Sequence, residues 1–229
     1  MAFDLKTFRT RTLTAIVFAA IMLTGLLWHR VAFIILFTVV HFGCWSEFLR
    51  LMKKILPGKA VMHFLLGVLY ITLPVALLLF IRLDSAITDD NLLKVVPCGI
   101  IFSIWINDTM AYISGSLIGK NPLSKISPKK TIEGTLGGII LSVLVITLVG
   151  SFTNYFRTID WFFISLISAI TGTFGDLLES KIKRLAGVKD SGNIMPGHGG
   201  FLDRFDSLLV AIPFVFVYYF LMMRGIYLG

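Results

Sequence analysis

The sequence predicts an all-α, polytopic integral membrane protein of about seven transmembrane helices, with a polar active site at the cytoplasmic face. Three observations predict it. Hydrophobic residues make up 56% of the 229 and charged residues only 15%, with a mean hydropathy of +0.87. That leaves too little polar surface to coat a water-soluble globule of this length. Apolar runs of the roughly 20 residues that cross a hydrocarbon core recur along the whole chain. Lys and Arg collect in every second connection, the asymmetry that marks cytoplasmic loops.

The first run begins near Leu13, after Lys6, Arg9 and Arg11. A signal peptide would look similar, but the distal end Gly25-Leu26-Leu27-Trp28-His29-Arg30 offers no small-x-small cleavage site, so a retained helix is expected. Phe3, Leu5 and Phe8, set among cations, suit a segment lying along the headgroups. Further spans begin near Val31, Val61, Leu92, Thr135, Trp161 and Leu208. If these alternate, one face collects Lys6, Arg9, Arg11, Arg50, Lys53, Lys54, Lys59, Lys120, Lys125, Lys129, Lys130, Lys181, Lys183, Arg184, Lys189 and Arg204. The other holds only Arg30, Arg82, Lys94, Arg157 and Arg224. The bias places the N-terminus and the polar segment from Gly175 to Ser207 in the cytoplasm. The net charge of +8 then lines loops beside anionic headgroups and calls for no nucleic-acid partner. Cys44 and Cys98 fall toward opposite ends of different spans, beyond disulfide reach, and are expected to be packing residues. Residues 1–229 read as a single membrane domain.

Chemistry is expected where carboxylates sit in costly places. Asp108 lies inside the run from Leu92 to Ile118, where a charge costs at least ~2.5 to 3.5 kcal/mol. A helix break or a pair with a loop Lys would account for it; a functional acid accounts for it better. Asp108, Tyr112 and Ser116 share a helix face with Asn107 adjoining, and that face should look into a polar cavity. Asp176, Glu179, Ser180, Lys183 and Arg184 form one stripe at the end of the sixth span. A snorkelling, salt-bridged helix end would explain Glu179 and Lys181. It explains Asp176 poorly, since Gly172, Thr173 and Gly175 before it thin the helix as if to admit something. Asp203 and Asp206 are one turn apart at the start of the last span, with Ser207 beside them. Alone they would be dipole partners worth about 0.3 to 1 kcal/mol each. The preceding Pro196-Gly197-His198-Gly199-Gly200 allows backbone N–H groups to turn toward an anion, a phosphate-binding arrangement in principle. The loop Ser127-Pro128-Lys129-Lys130-Thr131-Ile132-Glu133-Gly134 adds paired cations that loop topology would explain equally well. Acids in three segments, with cations and a glycine loop at one face, suggest a divalent metal together with phosphates.

The ordered pattern Ser180-x-Ile182-Lys183-Arg184, four residues, Lys189-Asp190-x-Gly192, then Pro196-x-His198-Gly199-Gly200-x-x-Asp203-Arg204-x-Asp206 resembles the signature of the phosphatidate cytidylyltransferases, or CDP-diacylglycerol synthases. Asn107-Asp108-Thr109-x-Ala111-Tyr112 and the Ser127 to Gly134 loop are similar to that family too. The resemblance therefore runs from about Ile104 to Ser207 and makes 96–229 the catalytic part, with N-terminal helices in 1–95. Met195, Ile132 and Met110 depart from the usual residues, and the chain is short for the family; no charged position is affected.

The resemblance implies transfer of CMP from CTP to phosphatidic acid, giving CDP-diacylglycerol and pyrophosphate in phospholipid biosynthesis, with membrane lipids as surroundings. It implies a multi-pass protein of the inner (plasma) membrane, a homodimer, and Mg²⁺, with a second cation such as K⁺ as a further ligand. Asp176 and Asp203 match metal-binding and catalytic positions, with Asp206 and Asp108 in support. Lys183, Arg184, Lys189 and Arg204 would hold phosphates, alongside Ser127, Lys129, Lys130, Ser180, Asp190, Gly199 and Gly200 as substrate-binding residues. The attacking lipid phosphate is already largely ionised, its second pKa being about 6, so His198 is expected to orient phosphate or loop in catalysis and not to act as a base. Rival readings are a CTP-dependent polyprenol or phytol kinase, an ether-lipid cytidylyltransferase and, from another class, an ion-coupled transporter, which would concentrate its sites at the bilayer midplane.

Overall fold

A computed structural model describes residues 5–194 and 199–227, with side chains from Thr12 onward. The described residues are helical apart from connections and one isolated bridge between Pro122 and Thr131. In order they are α1 (Leu5–Leu27), α2 (Arg30–Ile55), α3 (Ala60–Gly67), a π-helical turn (Val68–Thr72), α4 (Leu73–Leu83), α5 (Asp90–Ile118), α6 (Ile132–Ser151), α7 (Thr158–Leu185) and α8 (Leu202–Tyr218), which ends in a second π-helical turn (Tyr219–Met223). Six stretches are long and apolar enough to cross a membrane: α2, α3 through α4, α5, α6, α7, and α8 with its π turn. Among the residues described with side chains, α1 contributes the apolar stretch Thr12–Leu27. The chain is a multi-pass membrane protein, and the described residues supply six candidate spans toward the expected seven.

The π turn before α4 has a local cause. Pro74 lacks an N–H, and its ring crowds the carbonyl four residues earlier, at Tyr70; widening the turn relieves that conflict. The chain divides into two compact units, Met1–Thr72 with Ile182–Phe205, and Leu73–Lys181 with Asp206–Gly229.

In the first unit, α1 and α2 pack where Gly25 lies beneath Leu36. Phe33 and Phe37 are fully buried with ring centroids 4.6 Å apart. Trp45 lies over Gly67 and donates its indole N–H to the Thr72 hydroxyl at 2.9 Å. Gly43 leaves room for the Phe201 ring, which ties the polar segment to the middle of α2.

In the second unit, α5 and α6 pack together along an extensive interface. Gly134 and Gly138 of α6 bring its backbone against Asn107, Ala111 and Gly115 of α5, and the buried Ser142 hydroxyl donates to the Ser103 carbonyl at 2.8 Å. Small residues at such a crossing let dispersion and hydrogen bonds take over where lipid offers no hydrophobic drive. Gly175 of α7 lies against the backbone of Asp206 and Ser207, and Gly172 meets Ile104 and Ser207. The thinned helix surface expected to admit something admits α8 itself.

Several charged side chains elsewhere in this unit are paired. Arg82, fully buried, donates to Asp90 at 2.8 and 3.3 Å, and Lys94 reaches the same carboxylate at 2.9 Å. Arg157 grips Asp160 through two bonds of 2.9 Å, and the hydroxyls of Tyr218 and Tyr227 donate to it at 2.7 and 2.8 Å. Arg224 and Tyr219 donate to Asp84 at 2.7 and 3.0 Å. Burial raises the Asp84 carboxyl, but the hydrogen bonds from Arg224, Ala86 and Tyr219 outweigh it and hold the group below the usual carboxylate range. Arg82, Lys94, Arg157 and Arg224, all expected on the sparsely charged face, are therefore neutralised in place. Cys44 and Cys98 are free and buried, as packing residues should be.

Candidate active site

The second unit contains a cavity of about 480 Å³ built from four segments. The α5 helix contributes Asn107, Asp108, Ala111, Tyr112, Gly115 and Ser116; the following loop gives Lys129, Lys130 and Thr131; α6 gives Thr135; α7 gives Thr173 and Asp176. The face predicted from Asp108, Tyr112 and Ser116 does look into a cavity.

Local bonds explain how the loop presents its lysines. Glu133 accepts from the backbone N–H groups of Lys120 and Asn121 at 3.1 and 3.2 Å and from the Asn121 amide at 2.6 Å. Leu123 N–H donates to the Lys130 carbonyl at 2.7 Å, and the Thr131 hydroxyl caps α6 by accepting from Gly134 N–H at 3.1 Å. Ser127 closes the turn: its carbonyl accepts from Lys130 N–H at 3.1 Å, and its own N–H donates to the Ser124 hydroxyl at 3.2 Å. It is not among the residues lining the cavity. Lys129 is exposed, whereas Lys130 pairs with Asp176 at 2.6 Å, the two side chains 35% and 28% exposed. Asp206 is buried, accepts from Ser207 N–H at 2.6 Å, and feels the charges of Asp176, Asp108 and Lys130. Among the described residues the buried Asn107 amide oxygen has no hydrogen-bond partner, which leaves one acceptor at the cavity wall open.

The first unit contains a separate network. The Asp203 carboxylate accepts from Lys183 Nζ at 2.6 Å, Ser191 N–H and hydroxyl at 2.9 Å each, and Gly200 N–H at 2.8 Å. Lys183 and Asp203 are largely buried, with side chains 12% and 8% exposed. Gly199 adopts φ +81 and lies so close to the Asp203 carboxylate that both conformation and space require glycine. Glu47, fully buried on α2, accepts from the Ser191 hydroxyl at 2.7 Å and from the N–H groups of Phe201 and Leu202 at 3.1 and 2.9 Å.

Several expectations change. Where the loop Pro196 to Gly200 leads into α8, the N–H of Gly200 is bonded to Asp203 and those of Phe201 and Leu202 to Glu47. The anion at this helix N-terminus is part of the protein, because two carboxylates satisfy donors that a helix start otherwise leaves open. Arg184 donates to the Val188 carbonyl at 3.1 Å, closing the end of α7. Glu179 is fully buried, so it is no snorkelling residue. Lys189, Asp190 and Arg204 are exposed, and Ser180 is half-buried. His198, with Met195, Pro196 and Gly197, lies outside the described residues.

Sequence reasoning missed Glu47. The insertion cost that marked Asp108 applies equally to a Glu flanked by Trp45 and Phe48.

Among the described residues no three His, Cys, Asp or Glu side chains form a metal-holding group. A Mg²⁺ ion suits the cavity nonetheless, since it takes one or two carboxylates and completes its shell with water and substrate phosphate oxygens. Asp176, Asp108, the Asn107 carbonyl oxygen and nearby Asp206 are hard oxygen donors of that kind.

A family model described as "Cytidylyltransferase family" matches residues 56–222. A protein from Rickettsia bellii named phosphatidate cytidylyltransferase is 34% identical over 226 residues, covering 95% of this chain and 91% of that protein. One of the same name from Rickettsia felis is 34% identical over 224 residues, covering 94% of each. Another, from Staphylococcus haemolyticus, is 50% identical over 113 residues, 48% of this chain and 43% of that protein.

Proposed function

Because the chain belongs to the cytidylyltransferase family, we propose that it is a phosphatidate cytidylyltransferase, a nucleotidyltransferase that joins CTP and phosphatidic acid to give CDP-diacylglycerol and pyrophosphate. The observation that carries this reading is the cavity in which Lys130 and Asp176 form an ion pair and which Asp108 and Lys129 also line. Such a site suits a reaction whose difficulty is electrostatic. The lipid phosphate is a nucleophile that needs no deprotonation, but it must approach a polyanionic nucleotide. Alignment and charge neutralisation therefore supply most of the catalysis.

Lys130 can exchange the Asp176 carboxylate for nucleotide phosphate oxygens, and Lys129 is free to swing toward the same group. Asn107 offers its amide oxygen to a donor or a cation. Mg²⁺, held by Asp176 with Asp108 and Asp206 in support, would neutralise phosphate charge along the in-line displacement; the reading takes a second cation such as K⁺ from the family resemblance alone. A kinase acting on a neutral alcohol would want a base and would release CDP instead of pyrophosphate.

The same reading places the protein in the inner membrane with its site facing the cytoplasm, on the strength of the Lys and Arg asymmetry, and makes it a homodimer.

Purified protein in detergent–lipid micelles, given CTP, phosphatidic acid and Mg²⁺, should release pyrophosphate and form a cytidine-containing lipid in equal amounts, and chelation should stop both. CDP release with a prenol acceptor would instead identify a kinase. Failure to form either product with any lipid acceptor would overturn the reading.

A further inference from the structure

Glu47 lies upstream of residues 56–222, the part matched by the family model, yet it organises the polar segment. The backbone N–H groups of Gly200, Phe201 and Leu202 begin α8; the first bonds to Asp203, and the next two bond to Glu47. Ser191 stands between the carboxylates, its hydroxyl oxygen 2.7 Å from Glu47 Oε2 and 2.9 Å from Asp203 Oδ2. A hydroxyl has one proton, so it donates to one carboxylate at a time. The Ser191 backbone N–H keeps its own bond to Asp203 at 2.9 Å. Among the described residues, Ser191 and Gly200 thus supply the donors to Asp203 besides Lys183. Glu47 holds Ser191 directly, and it holds the residues that follow Gly200.

The glycines of the segment fit this arrangement. A Cβ on Gly192 or on Gly200 would fall on the Glu47 carboxylate. These two positions are small so that a carboxylate from α2 can enter between them.

We infer that Glu47 is a positioning residue for the transfer reaction: through Ser191 and the start of α8 it fixes the Asp203 carboxylate, and through Asp203 the Lys183 ammonium. The inference rests on the proposed cytidylyltransferase reading. Glu47 acts through Asp203 and Lys183, the groups that the family resemblance assigns to the reaction.

Glu47→Gln retains the shape but loses one acceptor oxygen. It should lower kcat by about 10- to 100-fold, the usual effect of removing a supporting partner, while KM for CTP changes much less. Amide hydrogen exchange at Phe201 and Leu202 should accelerate in the same variant. Gly200→Ala should give a similar loss by displacing the carboxylate. The double variant Glu47→Asp with Gly200→Ala should recover activity relative to Gly200→Ala, because the shorter acid makes room for the added methyl. Wild-type kcat in Glu47→Gln would overturn the inference, as would a double variant no better than Gly200→Ala. If Glu47→Gln fails to fold, the rescue experiment still decides. If wild-type protein forms no CDP-diacylglycerol, the functional reading falls on its own, and the exchange rates still report whether Glu47 orders the start of α8.

Discussion

Gly172 and Gly175 lie one turn apart on α7, yet alanine at the two positions should change stability in opposite directions. Replacing glycine by alanine inside a helix contributes roughly 0.5 to 1 kcal/mol by restricting the unfolded backbone. At Gly172 a new methyl would stand 3.4 Å from Ile104 Cγ1 and Ser207 Cβ, ordinary contact distances, so most of that gain should be kept. At Gly175 it would stand 2.6 Å from the Asp206 carbonyl oxygen and 2.9 Å from Ser207 Cα, well inside the about 3.5 Å at which carbon atoms pack. Both neighbours are backbone, so α8 must shift bodily, and overpacking of this kind costs about 1 to 3 kcal/mol. The penalty equals or exceeds the helix gain. The variants should therefore differ by about 1 to 3 kcal/mol, or roughly 2 to 12 °C in unfolding midpoint for a chain of this size. Cys44 and Cys98, the only cysteines and both buried, provide the assay: a thiol-reactive fluorogenic dye reports unfolding in detergent during a thermal ramp. Equal or reversed midpoints would refute the close α7–α8 approach.

Three further outcomes are expected. Asp176→Asn and Asp203→Asn should abolish turnover while the protein remains folded and membrane-inserted, as checked by size-exclusion profile beside the product assay; near-normal activity would remove that residue from the site. Lys130→Gln should lose on the order of 10²-fold in kcat/KM, and Lys129→Gln much less, because only Lys130 is held against Asp176; a reversed order would reassign the phosphate contact. Asp84, whose carboxyl is held low, should contribute stability that is fully present above its unfolded value of about 3.9 and is lost as pH falls through its lower folded value. Asp84→Asn should cost about 1 to 3 kcal/mol at neutral pH and flatten the acid limb of a stability–pH profile; an unchanged limb would contradict the Arg224 pairing.

The helices were largely legible because lipid exposure writes itself as continuous hydropathy. Predicted starts at Val31, Val61, Leu92, Thr135 and Trp161 lie within three residues of observed starts at Arg30, Ala60, Asp90, Ile132 and Thr158. The last helix begins earlier than its apolar run, at Leu202 instead of Leu208, since its first turns are built on Asp203, Arg204 and Asp206. Hydropathy says nothing about how a helix is wound, so the π turn ahead of Pro74 was invisible. The Asp108 face could be read from helical periodicity and the cost of a buried charge. The role of the glycines could not, because a small residue records closeness without naming the neighbour: α8 for Gly175, a carboxylate from α2 for Gly192 and Gly200. Glu47 escaped because its partners are donors from a distant stretch of chain.

The ion pairs of Asp90 with Arg82 and Lys94, and of Asp160 with Arg157, join residues on a single turn or a single short connection. Each set can close as soon as its own helical hairpin has formed, without waiting for the remainder of the chain. A lone Arg delivered into hydrocarbon during synthesis costs ~2.5 to 3.5 kcal/mol or more, and an acid already bound to it reduces the charge that has to be moved. Asp84 with Arg224 is different, because the two come from opposite ends of the second unit. That pair can form only after α8 has been made, so it closes later in membrane assembly than the local pairs.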